Sequence, residues 1–429
     1  METIATNVWQ KSKLLIKGLL IGALVLVLLV PAYFVQNLIK EREERQKEAY
    51  TEVSSKWAGR QIITGPVLVL PYNETPQGSS NQATTIKKFA YILPDQLNIQ
   101  SVVKPEKRYR GIYQVMLYSS DIKISGKFNG LPLEQLKIDR ANVLWAEAYV
   151  CVALSDVRGL NEEIKLKWND STVTLTPSTV NNAEMHDAFA APVTVSADKE
   201  ISFSSDISIN GSEQLLFTPL GKETTATLTS DWPDPSFTGG QLPDHRISDS
   251  GFVATWKNFA HTRNFPQAWK EDSYNLQSSS FGADLFIPVS GYQKTMRSVK
   301  YAILCILLTF AAFFIIETVN KKSVHPFQYA LIGLGLILFY TLLLSFSEYT
   351  GFNIAYVIAS IATVGLIGWF VKGILQSSRL TSVLSVILVL MYSYVFTILQ
   401  LQDYSLLLGS IGLFLTLGVI MHFSKKIQW

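Results

Sequence analysis

The chain is poor in the residues that catalysis and metal binding usually require. It contains only two cysteines and five histidines in 429 residues. No HExxH or CxxC motif is present, and no GxSxG, Gly-rich phosphate loop or SxxK set of motifs occurs. The histidines have no helical spacing that suggests a metal site, since they stand at positions 186, 245, 261, 325 and 422. The sequence therefore predicts no enzyme, no cofactor and no metal site.

The two cysteines, Cys151 and Cys305, exclude a disulfide framework. A chain of this length buries enough apolar surface to fold without one. Cys305 lies inside an apolar segment that we assign to the membrane. Cys151 lies in the apolar run 148–153, so we interpret it as a small buried hydrophobic residue rather than a redox thiol.

Charged residues are also scarce, at 17% of the chain against 48% hydrophobic residues. This composition is typical of a membrane protein. Residues 40–298 carry 27 Lys+Arg against 30 Asp+Glu, so the formal net charge of +3 comes from the rest of the chain. Because the positive excess lies beside the apolar segments, it does not indicate nucleic-acid binding.

Long apolar runs predict six transmembrane helices. One follows a basic leader, residues 1–17, and its apolar run of about 22 residues is long enough to span a bilayer at about 1.5 Å per residue. No A-x-A cleavage site closes this run, so we interpret it as a retained signal anchor. The six predicted spans are 18–39, 299–317, 327–346, 352–371, 380–399 and 404–423.

The charges of the short loops predict the orientation of these spans. Basic residues of cytoplasmic loops set membrane topology. If the N-terminus is cytoplasmic, the two short outer loops contain Glu348 and Asp403 and no basic residue. Both termini, including the tail 424–429, are then cytoplasmic and residues 40–298 lie outside. The inner basic residues are Lys11, Lys13, Lys17, Lys321, Lys322, Lys372, Arg379, Lys425 and Lys426.

The outer region between the first two spans has two predicted parts. Residues 40–60 mix both charges at a spacing of four, which favours a charged stalk helix. Residues 61–298 contain short β-branched and aromatic runs separated by turn residues such as Asn129-Gly130 and Asn210-Gly211. We predict a mainly antiparallel, sandwich-like β domain here.

The predicted spans contain no charged residue near their middle, since Glu317, Glu348, Lys372 and Asp403 all lie at span ends. Ion-coupled transporters usually carry such residues there. Glycines such as Gly333, Gly335, Gly365 and Gly368 are better explained by close helix packing than by a pore.

Two polar loops are candidate functional sites. The first is a candidate partner-contact loop, interpreted either as a rigid crossover fixed by prolines and Asx turns or as a contact loop carrying an exposed Trp. The second is a cytoplasmic loop with Glu317 and His325, interpreted either as helix punctuation before Pro326 or as a contact point. The candidate residues of the first loop are Asp231, Trp232, Asp234, Phe237 and Asp249.

Several stretches resemble the CreD family of bacterial inner-membrane cell envelope integrity proteins. They are HPFQY at 325–329, SEYTGF at 347–352, GPVLVLPY at 65–72, SDVRGL at 155–160, RGIYQVMLYSSDIKISGKF at 110–128 and TSDWPDPSFTGGQLPDHRISDSGFVATW at 229–256. The resemblance covers almost the whole chain. It implies a polytopic inner-membrane protein with a large periplasmic domain and a role in envelope stress, and it implies no catalytic residues.

Three functional hypotheses remain open from the sequence. The leading one is a non-enzymatic envelope protein, held in the lipid bilayer, whose periplasmic β domain binds an envelope protein, lipid or glycan. The alternative is a protein that handles or transports a lipid or small solute, with the β domain as receptor. The third is a sensor that signals through residues 317–326 to a cytoplasmic partner.

Overall fold

The computed structural model describes residues 2–75, 85–178, 188–271, 274–285, 291–320, 322–401 and 407–412, together with 414, 418 and 421. The chain divides into two units. The helical unit consists of Met1–Glu48 and Val289–Trp429, and the β unit consists of Ala49–Pro288.

Six α-helices are described. Five of them are long and apolar enough to cross a membrane, namely the part of the first helix from Ile16 onward and the last four helices. The predicted sixth span, 404–423, lies largely outside the described residues, so the described part of the chain has five candidate spans where six were predicted. The helices are α1 (Glu2–Trp57), α2 (Gly291–Lys300), α3 (Ala302–Val319), α4 (Pro326–Thr350), α5 (Phe352–Leu375) and α6 (Ser378–Gln400).

Helix α1 contains both the predicted anchor 18–39 and most of the predicted stalk 40–60. Its buried side chains form one stripe at alternating spacings of three and four residues. A Cβ added to Gly333 of α4 would lie 2.2 Å from a methyl carbon of Leu28, so this glycine lets α1 and α4 approach closely. The stripe consists of Val25, Leu28, Ala32, Val35 and Ile39.

Helix α2 differs from the sequence prediction. The sequence assigned residues up to 298 to the β domain and began a membrane span at 299, whereas α2 is a separate amphipathic helix in the helical unit. It buries Tyr292, Thr295 and Val299 and leaves Arg297 and Lys300 exposed. Charges recurring at a spacing of three keep one side of α2 polar, so the apolar span begins only with α3.

The β unit contains seventeen described strands. They are β1 (Gln61–Glu74), β2 (Ile86–Ile92), β3 (Gln96–Arg110), β4 (Tyr113–Phe128), β5 (Tyr149–Leu154), β6 (Lys165–Trp168), β7 (Ser171–Thr174), β8 (Thr176–Ser178), β9 (Ala188–Pro192), β10 (Ile201–Ser212), β11 (Gln214–Phe217), β12 (Glu223–Ser230), β13 (Ser236–Thr238), β14 (Asp244–Ser248), β15 (Gly251–Phe259), β16 (Ala268–Lys270) and β17 (Phe281–Asp284).

These strands form two sheets. The nine-stranded sheet has the order β13-β17-β11-β1-β5-β9-β8, with β2 paired to β1 and β16 paired to β2. The eight-stranded sheet has the order β14-β15-β12-β3-β4-β10-β6-β7. Pairing is antiparallel except for β1 with β11 and β3 with β12. The predicted mainly antiparallel β fold is therefore confirmed.

The core of the β unit lies between the two sheets. Strand β10 buries alternate residues, such as Phe203, Ile207 and Ile209, because successive side chains of a strand point to opposite faces. Contacts across the sheets include Trp256 on Phe281, with ring centroids 5.5 Å apart. This arrangement agrees with the predicted sandwich.

The SDVRGL stretch holds the end of α1 against the first strand. The Arg158 guanidinium donates to the Ser55 carbonyl in the last turn of α1 at 2.6 Å, and Asp156 accepts from the Gly59 amide at 2.8 Å. Hydrogen bonds from Arg158 to Asp156 lower the pKa of that carboxyl group. A Cβ at Gly159 would lie 2.2 Å from the Asn210 carbonyl oxygen, so only glycine fits there. These contacts give the stretch a structural role.

Candidate functional site

The candidate partner-contact loop forms the edges of both sheets. Strand β13 is the edge strand of the nine-stranded sheet, and β14 is the edge strand of the eight-stranded sheet. Between and around them lie the turns that contain Asp231, Asp234 and Asp249, all of which are exposed. The stretch predicted as a loop is thus partly β-strand, because each short strand pairs along one side with a longer neighbour.

Trp232 is buried, so it is not the exposed Trp that the contact-loop interpretation requires. The side chain is 5% exposed, and its indole N–H donates to the Asp234 carbonyl at 2.9 Å. The Lys107 ammonium lies 5.3 Å from the ring centroid. Burial of the large apolar ring is compatible with its polar N–H because the turn itself supplies the acceptor. Trp232 therefore stabilises the turn and offers no exposed contact surface.

Phe237 joins the two sheet edges. It belongs to β13, and its ring centroid lies 5.1 Å from that of His245 in β14. It also makes edge-to-face contacts with Phe252 and Trp256 of β15, each at 5.7 Å. Edge-to-face geometry is favourable for aromatic pairs. Phe237 thus fixes β13 of one sheet to the β14–β15 hairpin of the other.

Strand β14 presents the accessible part of this region. All five of its residues are exposed, and in the described part of the chain it pairs with β15 alone. Leu242, just before the strand, is 80% exposed, and Ile247 within it is also exposed. An edge strand with a free side offers backbone N–H and C=O groups to another strand. We call Leu242–Ser248 the exposed edge.

Glu317, a candidate residue of the second loop, is part of a buried cluster in the helical unit. Glu317 is 4% exposed and lies near the end of α3. Its carboxylate accepts hydrogen bonds from the Val324 amide at 2.9 Å and from the Tyr329 hydroxyl at 2.7 Å. The Lys17 ammonium of α1 forms a salt bridge with it and donates to the Val324 carbonyl at 2.7 Å. The cluster thus fixes α1 and the α3–α4 connection to each other.

His325 has a different role from Glu317. Its ring Nδ1 accepts from the Phe327 amide at 3.2 Å, while its own amide donates to the Gln328 side chain at 3.0 Å. With Pro326 at the first helical position, this is a capping box that begins α4. The interpretation of this loop as helix punctuation therefore explains His325, and HPFQY contributes both this cap and Tyr329.

A second polar cluster involves α1 and the other end of α4. Glu348 accepts a hydrogen bond from the Tyr292 hydroxyl at 2.9 Å, and the Arg42 guanidinium lies 3.9 Å from the same carboxylate oxygen. The span from Lys17 to Arg42 corresponds to about 38 Å of α-helix at about 1.5 Å per residue. That is slightly more than the roughly 30 Å hydrocarbon core of a bilayer. The two ion pairs are thus far enough apart along α1 to lie near the two boundaries of the hydrocarbon core.

Sequence reasoning missed four members of these clusters, namely Lys17, Arg42, Tyr292 and Tyr329. The charges at the ends of the first apolar run were visible, but their partners were not, because Lys17 and Glu317 are 300 positions apart. The HPFQY resemblance was the one signal that pointed toward Tyr329.

The chemistry available at these sites is that of binding and structural pairing. No group of three or more His, Cys, Asp and Glu side chains suited to a metal ion occurs among the described residues. Cys151 is fully buried, and burial raises the pKa of its thiol to about 12, which keeps it protonated.

The chain is similar to known proteins over nearly its whole length. Residues 13–429 match the family model described as "Inner membrane protein CreD". The chain is 30% identical over 417 residues to the inner membrane protein CreD of Escherichia coli strain K12, covering 96% of this chain and 92% of that protein. A solved structure of a putative nutrient binding protein from Legionella pneumophila aligns with 57% of this chain and 80% of its own, at 7% identity and a TM-score of 0.27. So low a score carries no argument about fold or function.

Proposed function

Since the chain belongs to the CreD family of inner membrane proteins, we propose that its β unit lies in the periplasm and binds an envelope protein there. Through this contact the protein supports the integrity of the cell envelope under stress, and it does so without catalysing a reaction. The observation that carries the proposal is the exposed edge. The absence of catalytic motifs from the sequence supports a binding role.

The periplasmic position of the β unit rests on the charges of the short loops. Lys372 lies in the last turn of α5 and Arg379 in the first turn of α6, so the connection between these helices is flanked by basic residues, whereas the connection between α4 and α5 follows Glu348. Basic loops favour the cytoplasmic side. This distribution supports cytoplasmic termini and a periplasmic β unit.

Reporter fusions test this orientation. We expect a periplasm-dependent reporter such as alkaline phosphatase to be active when fused after Asp198 and inactive when fused after Arg379. A cytoplasm-dependent reporter at the same two positions serves as the matched control and should give the opposite pattern. Phosphatase activity at Arg379 would contradict the proposed topology.

Strand addition is the binding mode that fits the exposed edge. A partner strand can pair with the free side of β14 through main-chain hydrogen bonds, while the side chains on the two faces of β14 select the partner. The exposed residues Asp244, Arg246 and Ile247 offer both charges and an apolar side chain. A protein strand supplies the complementary N–H and C=O groups in a regular row, which a lipid or a glycan does not. We therefore propose an envelope protein as the partner.

Site-specific crosslinking in cells tests this contact. We expect a photo-crosslinking amino acid at Ile247 or His245 of the full-length protein to capture the same envelope protein. Because these positions are two residues apart on one face of β14, the two partner residues that they capture should also be two positions apart in the partner's sequence. Tyr109, which is exposed on a different hairpin, is the control position. Equal capture from Tyr109, or capture without the shift, would contradict strand addition.

Transport of a lipid or small solute is the alternative function. In the described spans, the charged residues lie toward helix ends, as Glu317, Glu348 and Lys372 do. Proton- and ion-coupled transporters usually need such groups near the membrane midplane. The alternative therefore has less support than partner binding.

A further inference from the structure

The exposed edge carries two opposite charges that are not used within the described part of the chain. Asp244 and Arg246 lie on either side of His245 in β14, so both side chains are on the same face of the eight-stranded sheet. Both are exposed, and neither forms an ion pair among the described residues. Charges of one sign would repel a second copy of the same strand, whereas an acid and a base two positions apart are complementary to their own reversed copy.

The hairpin between β14 and β15 determines which backbone groups of the exposed edge are free. Ser248 pairs with Gly251 across a two-residue turn, so these two residues exchange hydrogen bonds. Hydrogen-bonded pairs recur at every second residue of an antiparallel ladder, which directs the backbone groups of Arg246 toward β15 as well. The N–H and C=O groups of His245 and Ile247 therefore point away from β15, where a further strand can reach them.

Charge favours one register when β14 pairs with an antiparallel copy of itself. With His245 opposite the His245 of the other copy, each Asp244 lies opposite an Arg246. These are non-hydrogen-bonded pairs, in which Cα atoms lie about 4.5 Å apart, so their side chains can form two ion pairs. In the same register the two His245 backbones exchange hydrogen bonds, and each Ile247 N–H can donate to the Pro243 carbonyl of the other copy. A register centred on Arg246 would instead place two arginines opposite each other.

We propose that the envelope protein bound by the exposed edge is a second copy of this chain. The two copies pair antiparallel through β14, centred on His245, and join their eight-stranded sheets into one continuous sheet. This pairing has two-fold symmetry and uses the same strand of both copies, so it closes as a dimer. The inference rests on the proposed strand addition at the exposed edge and identifies its partner.

Co-expression of two full-length copies with different epitope tags tests the dimer. A photo-crosslinking amino acid at Ile247, which lies outside the charge pairs, should link the two tags. Asp244→Arg in both copies opposes arginines, and Arg246→Asp in both copies opposes aspartates, so each change should lower this crosslinking about tenfold. Asp206→Arg is the matched control and should leave it unchanged, since Asp206 is exposed on β10, an interior strand of the same sheet.

A mixed pair of variants distinguishes self-pairing from pairing with another protein. When one tagged copy carries Asp244→Arg and the other carries Arg246→Asp, each arginine of the edge again faces an aspartate. Crosslinking between the tags should then return to near the wild-type level, which would also show that both variants are folded. Failure of the mixed pair to recover, or undiminished crosslinking by the single variants, would overturn the dimer.

The identity of the captured protein separates this inference from the proposed function. Capture of a different envelope protein from Ile247, without the second tag, would overturn the dimer and leave strand addition at the exposed edge supported. Capture of no protein from Ile247 would overturn both.

Discussion

Replacing Lys17 by methionine is expected to lower the free energy of unfolding of the helical unit by about 3 kcal/mol. The substitution leaves the buried Glu317 carboxylate with only the Val324 amide and the Tyr329 hydroxyl as donors. Breaking a buried ion pair on one side is costly because the remaining charge stays buried without compensation. The expected loss of unfolding free energy lies at the lower end of the usual range for a broken buried ion pair, because the Lys17 side chain is partly exposed.

The measurement is chemical unfolding of the full-length protein in detergent, followed by helical circular dichroism. Lys40→Met is the control, since Lys40 is exposed on the same helix. The double variant Lys17→Met with Glu317→Gln should recover most of the loss, because the glutamine is neutral, its amide oxygen can still accept from the Val324 amide, and its NH2 group can donate to the Tyr329 hydroxyl oxygen. A loss no larger than that of Lys40→Met would show that the ion pair does not stabilise the unit.

Hydropathy was sufficient to predict the described spans of the helical unit. The apolar runs predicted the described spans because a bilayer requires long stretches of internally hydrogen-bonded apolar helix. The same reasoning failed at α2, where Tyr292 and Val299 are buried among charged neighbours. It could not pair Lys17 with Glu317 or Arg42 with Glu348, because such pairings depend on tertiary packing.

Alternation and turn residues were likewise sufficient to predict the class of the β unit but not its edges. Pairings such as β1 with β11 join distant strands and are set by tertiary packing, which local patterns do not record. The sequence left open whether Trp232 belongs to a rigid crossover or is exposed in a contact loop, whereas in the structure its turn buries the ring and satisfies the indole N–H locally. Local composition predicted where the candidate site lies in sequence, and only packing showed which of its residues are accessible.

Three of the stretches that resemble the CreD family make specific contacts in the structure. HPFQY begins α4 and supplies Tyr329 to Glu317, while SEYTGF supplies Glu348 at the other end of the same helix. SDVRGL fixes the last turn of α1. These motifs thus position α1 and α4.

Replacing Trp256 by alanine is expected to destabilise the β unit by about 4 kcal/mol, as is usual when a buried aromatic ring is removed from a core. Trp256 is 1% exposed, and its ring contacts Phe237 of β13 and Phe281 of β17. It therefore joins the hairpin of the eight-stranded sheet to the edge of the nine-stranded sheet. Its removal should also release the exposed edge, which limited proteolysis between Leu242 and Ser250 can detect.

Two variants separate the role of the Trp256 ring from general damage to strand β15. The Trp256 indole N–H has no hydrogen-bond partner among the described residues. Trp256→Phe therefore loses no hydrogen bond seen there, keeps an aromatic ring and should destabilise the domain less than alanine does. Phe259→Ala, at an exposed position of the same strand, should change the free energy of unfolding little. If Trp256→Ala unfolded like Phe259→Ala and left the edge resistant to protease, the aromatic contacts would not be what holds the two sheet edges together. If it lost the crosslink from Ile247 while Phe259→Ala kept it, partner binding would depend on an edge held in place by these contacts.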